Sequence, residues 1–315
     1  MDENEWLATR FEEHRGHLRA VAYRMLGSLS DADDAVQDTW LRLSNADTDE
    51  VENLGGWLTT VVARICLNML RARNTRREES LDTRVPDPVI WRGAGSGGFD
   101  PFDPESEAVL ADSVSLALLV VLDTLTPAER LVFVLHDLFG LPFDEIAPMV
   151  SRTPAAARQL ASRARRRVKG AAVPAPHEDR RRQQQVVDAF FAAAREGDFD
   201  ALVAVLHPDV TLRIDAGTAS PAASMVVRGA ADVARQTSEG LTSSLARAGT
   251  EVQPAVVNGG AGVIVTMAGR AVTVMGFTVA SGRIVEIDSI FDPARIERIL
   301  SLRGAEDHTG GDVLG

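Results

Sequence analysis

A chain of 315 residues with 45% apolar side chains has the length and apolar content for two or three domains, each with its own core. A formal net charge of −12 argues against indiscriminate nucleic-acid binding, and a single cysteine, Cys66, excludes a disulfide framework or a CxxC zinc pattern. The N-terminus lacks a basic-then-apolar leader and no apolar run reaches membrane-spanning length, so the expectation is a cytoplasmic protein with no membrane contact.

The distribution of charge says more than its sum. Residues 30 to 52 hold eight acids and one arginine, residues 64 to 77 hold five arginines and no acid, and residues 151 to 182 hold ten basic residues against two acidic ones. Basic charge confined to two places lets an acidic protein touch DNA locally.

Taken in order, Leu7, Phe11, Leu18, Val21 and Met25 trace one face of a helix that Gly27 can stop. Ser30 is expected to cap a second helix, with Ala32, Val36, Trp40 and Leu43 inward and Asp31, Asp34, Gln37 and Asp38 outward. After a polar connection, Asn45 to Asn53, a third helix runs through Leu54, Trp57, Leu58, Val61, Ile65, Met69 and Leu70, with Cys66 on its apolar face as a small core residue. Its second half, LNMLRARNTRR, presents Asn68, Arg71, Arg73, Asn74, Arg76 and Arg77. From Glu78 to about Val109 the periodicity fails. Pro86, Pro88, Pro101, Pro104, a GAGSGG run and the acids Asp100, Asp103, Glu105 and Glu107 describe an extended linker that cannot bury a core.

Leu110 to Leu122 returns to helix. Thr126, Pro127 and Glu129 then form an N-cap, a first-turn proline and a capping-box acid; Gly140 ends that helix, Phe143 to Val150 gives a second, and Thr153 with Pro154 starts a third. This is a helix-turn-helix pattern, with Ser151 at a turn position where glycine is usual and Pro148 inside the second helix. In the third helix Ala157, Leu160, Ala161, Ala164 and Val168 form the buried stripe, leaving Arg158, Gln159, Ser162, Arg163, Arg165 and Arg166 outward. Seven basic residues and no acid between Ser151 and Gly170 suit phosphate neutralisation, and forked Arg and Gln groups near a helix N-terminus can pair with base edges.

Beyond a second linker the period changes. Gln183 to Arg195 and Phe199 to Leu206 are helical, the latter ending at His207 and Pro208. Val210 to Asp215, Glu251 to Val257, Gly262 to Met267, Ala271 to Ala280 and Arg283 to Ile290 alternate as strands of an antiparallel meander curved over helices. His207, Asp215 and Asp288 are the residues an enzyme in such a fold would draw on as acid or base, with His207 better explained as a helix-end cap. No P-loop, GxSxG, HExxH or dinucleotide fingerprint is present, and neither catalysis nor a cofactor or metal is expected. Trp6, Trp40 and Trp91 are expected as core anchors rather than base-stacking platforms, with Trp57, next to the loop ending at Asn53, the exception to watch.

In this order, SDADDAVQDTWLRL, GGWLTTVVARICLNMLRARNTRR, the acidic linker and the helix-turn-helix resemble bacterial sigma factors of the extracytoplasmic-function group over residues 5 to 170. The continuation resembles a SnoaL-like domain of the nuclear-transport-factor-2 (NTF2) superfamily, as in the J-type subgroup. The implied fold is two all-α domains, sigma-2-like and sigma-4-like, followed by an α+β NTF2-like cone with a curved antiparallel sheet. Its expected divisions are 1–80, a linker 81–109, 110–172, a linker 173–182, 183–303, and a disordered tail 304–315.

The resemblance also implies partners: core RNA polymerase, through the β′ clamp helices and β flap, promoter DNA, and a small ligand for the C-terminal pocket. By carry-over Asp34, Gln37 and Asp38 dock on polymerase; Asn68, Arg71, Arg73 and Asn74, with the loop Asp47 to Asn53, recognise the −10 element; Arg152, Arg158, Gln159 and Arg163 read the −35 element. The acidic linker resembles the segment threading the polymerase cleft and RNA exit channel. VPDPV, Val85 to Val89, stands where a WLPEP-like motif is expected, FDPARI, Phe291 to Ile296, where NPDKL is expected, and DAGTAS, Asp215 to Ser220, in place of a DGGG-like motif. Pro86, Asp87, Pro88, Asp292 and Pro293 are expected to take part in a regulatory contact by which the extra domain modulates activity in cis. The competing reading is a ligand-sensing one-component regulator that binds duplex DNA alone; the acidic helix and the second basic helix favour the sigma reading.

Overall fold

A computed structural model describes residues 3–46, 53–76, 83–92, 114–169, 180–217, 220–241 and 247–304. The promoter loop expected at Asp47 to Asn53 (bar Asn53), the linker residues 93–113 and the tail after 304 lie outside the described residues. The chain divides into two units, Met1–Ser80 with Leu119–Ala171, and Leu81–Leu118 with Ala172–Gly315.

The first unit is helical. Helix α1 spans Glu3–Leu26, α2 Leu29–Leu43 and α3 Leu54–Arg76. Gly27, at φ 64°, turns the chain after α1, and Ser28, not Ser30, caps α2 by accepting the Asp31 N–H. Leu18, Val21, Met25, Ala32, Leu43, Leu58 and Val62 are fully or nearly fully buried where the three helices meet. Trp40 packs its ring 5.2 Å from Phe11. Burial pushes the Cys66 thiol up to about 12, which leaves it an inert core group.

Helices α4 (Leu116–Asp123), α5 (Pro127–Phe133), α6 (Phe143–Ile146) and α7 (Pro154–Lys169) complete the helical elements of this part of the chain. The capping box at α5 is present in full: the Glu129 N–H donates to Thr126 Oγ1 (3.3 Å) and the Thr126 N–H to Glu129 Oε2 (3.1 Å). A π turn over Val134–Leu138 carries α5 on to Gly140, and Pro148 falls in a 3₁₀ turn, Ala147–Val150, where its missing donor costs little. Ser151 takes φ 54°, a left-handed conformation that costs a non-glycine residue roughly 1 kcal/mol.

The sigma-2-like and sigma-4-like helices lie in one compact unit. Buried Arg130 of α5 donates from Nε to the Arg24 carbonyl of α1 (3.1 Å) and pairs with Asp123. Phe139 meets His17 edge-on at 5.2 Å and lies under the Arg24 guanidinium at 5.0 Å.

The second unit is a seven-stranded sheet in the order β1-β4-β5-β6-β7-β2-β3. Its strands are β1 (Ile90–Arg92), β2 (Leu206–Asp215), β3 (Met225–Arg228), β4 (Thr250–Val257), β5 (Gly260–Met267), β6 (Arg270–Ala280) and β7 (Arg283–Ile290). Helices α8 (Arg180–Glu196), α9 (Phe199–Val205) and α10 (Ala230–Gln236) accompany it, and Phe190, Phe191, Leu202, Val263, Phe277 and Ile287 share its core. Helix α11 (Pro293–Gly304) packs on β6. Strands β4 to β7 form the expected meander, but β2 joins β7 in parallel, so the sheet is only mostly antiparallel.

Two expectations fail here for physical reasons. The linker does not stay out of the fold: Val85 to Pro88 are buried, and Ile90 to Arg92 pair with Val257 to Ala255 as an edge strand. A short proline-flanked strand is what an open sheet edge accepts. His207 caps no helix. It lies at the start of β2, where its Nδ1 accepts the Asp209 N–H (3.1 Å) across a register shift.

Candidate functional site

Helix α2 separates its acids. Asp31 pairs with Arg73 and Asp33 with Arg19 (2.7 Å), so both are consumed within the helical unit. Asp34, Gln37 and Asp38 are exposed and carry no partner among the described residues. Together they form an anionic strip on the solvent side of α2.

At the far end of α3, Asn68 and Arg71 are exposed. Arg73 departs from the expected set: half-buried, it donates to the Leu26 carbonyl (3.1 Å) and to Asp31, bracing the α1–α2 turn rather than presenting its charge outward. Asn74 belongs to α3, and its side chain lies outside the described residues.

Helix α7 buries Ala157, Ala161 and Ala164, and exposes Arg158, Gln159 and Arg163, with Arg152 exposed in the turn before it. Small buried residues let α7 sit close on its neighbours while long side chains reach away. The Arg158 guanidinium lies over the Phe143 ring at 5.6 Å, which orients it at the N-terminal end of the helix. Arg165 and Arg167 are spent on Asp137 (2.5 Å) and Glu129 (2.8 Å). Burial opposes a charge on Glu129, but hydrogen bonds from Thr126 and the nearby Arg167 hold its carboxyl below the usual range.

In the second unit the three motif segments converge on one side chain. Arg295, from the first turn of α11, donates from Nε to Asp87 Oδ1 (2.7 Å), from Nη1 to Asp215 Oδ2 (2.8 Å) and from Nη2 to the Val85 carbonyl (2.5 Å). The Val85 N–H returns to Asp215 Oδ2 (3.0 Å). Asp215 Oδ1 also accepts the Gly217 N–H (3.0 Å), and its carbonyl accepts the Phe291 N–H (2.7 Å). Asp292 caps α11 through the Arg295 N–H (3.1 Å). Gly217, at φ 71°, admits this packing, since a Cβ there would lie 2.2 Å from Asp292 Oδ2. Burial works against the Arg295 charge, but Asp87 and Asp215 hold its pKa above the ordinary arginine value. Asn258 supplies a second anchor: its Oδ1 accepts the Val89 N–H (3.0 Å), its N–H donates to the Val89 carbonyl (2.8 Å) and its Nδ2 to the Val114 carbonyl (3.0 Å).

Comparisons with known proteins follow the same divisions. Residues 10–76 match Sigma-70 region 2, residues 115–168 match Sigma-70 region 4, and residues 187–287 match the SnoaL-like domain. The chain is 41% identical over 227 residues to the ECF RNA polymerase sigma factor SigJ of Mycobacterium tuberculosis, covering 72% of this chain and 70% of that one. The chain belongs to the extracytoplasmic-function RNA polymerase sigma factors. A probable ECF sigma factor of the same organism, SigI, is 38% identical over 69% of this chain and 72% of its own length. The crystal structure of SigJ aligns over 92% of this chain and 98% of that one, with a TM-score of 0.65 at 34% identity.

This sigma factor therefore carries the polymerase-directing regions in its helical unit and a SnoaL-like, NTF2-like domain after them. Membership makes it a transcription factor acting with core RNA polymerase and promoter DNA. A regulator binding duplex DNA alone would leave region 2 unexplained. The acid–base candidates His207, Asp215 and Asp288 are not among the residues lining the cavity of the C-terminal domain. Asp215 belongs to the Arg295 cluster, and Asp288 pairs with Arg213, which also holds Glu286 (2.9 Å). Among the described residues no cluster of His, Cys, Asp or Glu could hold a metal ion, and no helix is long and apolar enough to cross a membrane. Sequence reasoning passed over Arg295 and Asn258. A cation inside FDPARI, facing acids in VPDPV and DAGTAS, was the available signal for the first; the NGG turn hid the second.

Proposed function

We propose that Asp34, Gln37 and Asp38 dock on the β′ clamp helices of core polymerase, and that the sigma-4-like helices meet the β flap. Asn68, Arg71 and Asn74 would open the −10 element. The Arg73 guanidinium joins them only by leaving Asp31, so its contribution to DNA contact is conditional. Arg152, Arg158, Gln159 and Arg163 read the −35 element from the major groove, with Arg152 in the preceding turn on the phosphates. The protein works where polymerase works, in the cytoplasm.

The C-terminal domain modulates this activity in cis. Its hold on the linker supports that reading: residues 85–88 are buried and Ile90 to Arg92 form an edge strand of the sheet, and a sigma linker that follows the polymerase cleft must first leave it. The single observation that carries the reading is the Arg295 guanidinium shared between Asp87 and Asp215. Polymerase and the sheet compete for one segment, so a differential affinity of a few kcal/mol decides where it lies.

Run-off transcription with purified chain and core polymerase tests both halves. Asp34→Lys with Asp38→Lys is expected to abolish polymerase binding at unchanged fold, while Asp87→Asn, which loosens the linker, is expected to change transcript yield at equal binding. Normal transcription by the charge-reversed variant would end the docking assignment; unchanged yield from Asp87→Asn would end the cis-modulation assignment.

A further inference from the structure

The C-terminal domain contains a cavity of about 270 Å³, slightly below the range of roughly 300–1,000 Å³ for drug-sized ligand sites. Its walls are mainly apolar, from Phe190, Leu212, Ile214, Val265, Met275 and Ile287. Three hydroxyl residues interrupt them. Thr237, Thr273 and Ser289 are 5%, 8% and 6% exposed, line the cavity, and have no side-chain hydrogen-bond partner among the described residues. Strand alternation accounts for the last two: Thr273 shares a face with Met275, and Ser289 with Ile287.

Their hydroxyls open onto this apolar space with no protein partner, which leaves them available to a guest. A guest carrying an oxygen satisfies them. At the rim stands Arg247, exposed and with no ion-pair partner among the described residues; no other charged residue lines the cavity. A guanidinium beside an apolar pocket favours a carboxylate, which it can meet with two parallel hydrogen bonds.

We propose that this cavity binds a small amphiphilic carboxylate, an apolar body with an oxygen function for the interior hydroxyls and an anionic head for Arg247. The site goes beyond polymerase and promoter binding and does not depend on the linker reading. It does border the Arg295 cluster: Ala216 lines the cavity and follows Asp215, and Phe291 lines it and precedes Asp292.

Calorimetric titration of the full chain, without polymerase, tests the site with 8-hydroxyoctanoate, octanoate and octane-1,8-diol as probes. Saturable binding is expected, tightest for 8-hydroxyoctanoate. Arg247→Gln should weaken both acids at least tenfold and leave the diol unchanged. Ser289→Ala with Thr273→Val should erase the advantage of 8-hydroxyoctanoate over octanoate. Val265→Trp, which fills the cavity, should remove binding of all three; if that variant fails to fold, the exposed Arg247→Gln decides alone. No saturable binding at millimolar probe, or acid binding unaffected by Arg247→Gln, would overturn the proposal.

Discussion

The outer face of α7 and the core of the sheet unit treat arginine in opposite ways. On α7 and the adjoining turn, Arg152 and Arg158 are exposed and pair with no acid among the described residues, and Arg163 is exposed with Glu129 nearby, whereas in the sheet unit Arg213 and Arg295 are buried, each against two carboxylates. A charge left in water stays available to a partner. A charge taken out of water must be matched inside the fold, and then it organises the chain around itself. The recognition proposed for the helical unit thus lies on its surface, while the modulating contact proposed for the sheet unit lies in its interior.

Substitutions test that contrast. The largest effect is expected at Arg295: Arg295→Ala strands Asp87 and Asp215 in a buried site and should cost about 3–5 kcal/mol, seen as a lower Tm and as faster tryptic cleavage after Arg92. An exposed arginine should behave otherwise. Arg158→Ala or Gln159→Ala is expected to lose about 1–3 kcal/mol of promoter discrimination in binding titrations. Their unfolding free energy should move by less than about 0.5 kcal/mol. Arg73 lies between the two cases, so Arg73→Ala should cost roughly 1 kcal/mol of stability while Arg71→Ala costs almost none. Equal Tm changes at Arg73 and Arg71 would erase the distinction between them.

The last test is a pH slope. Burial, reinforced by the Glu286 carboxylate and opposed by Arg213, pushes the Asp288 carboxyl from its usual 3.8 up to about 7. Between those values the folded chain keeps a proton that the unfolded chain releases. Stability of the sheet unit should thus fall as pH rises from about 4 to about 7 and level off above, a lowering of Tm that Asp288→Asn removes.

How much of this was legible follows the same division. Caps and periodicity are local, so the α5 capping box, the α7 stripe and the exposed Asp34, Gln37 and Asp38 could be read directly. The shift of the α2 cap from Ser30 to Ser28 is also local, since either serine can begin that helix. Non-local pairing could not be read. Strand β1 is three residues in a proline-rich stretch, β3 is four residues at an edge, and the parallel alignment of β2 with β7 leaves no mark on the pattern of either strand. Arg73 looked outward on a helical wheel because its acid lies on another helix. The five residues named for the regulatory contact, Pro86, Asp87, Pro88, Asp292 and Pro293, flank Arg295, which joins their segments.

Asp87 and Arg295 stand 208 residues apart, with Asp87 synthesised early and Arg295 close to the end. At ordinary elongation speeds the stretch from Ala171 to Arg295 takes on the order of ten seconds to make. Throughout that interval the promoter-reading helices already exist on the growing polypeptide, while the guanidinium that ties down their connecting segment does not. Under the cis modulation proposed above, each newborn molecule passes through an unlatched period, set by ribosome pace, before the finished chain restrains itself.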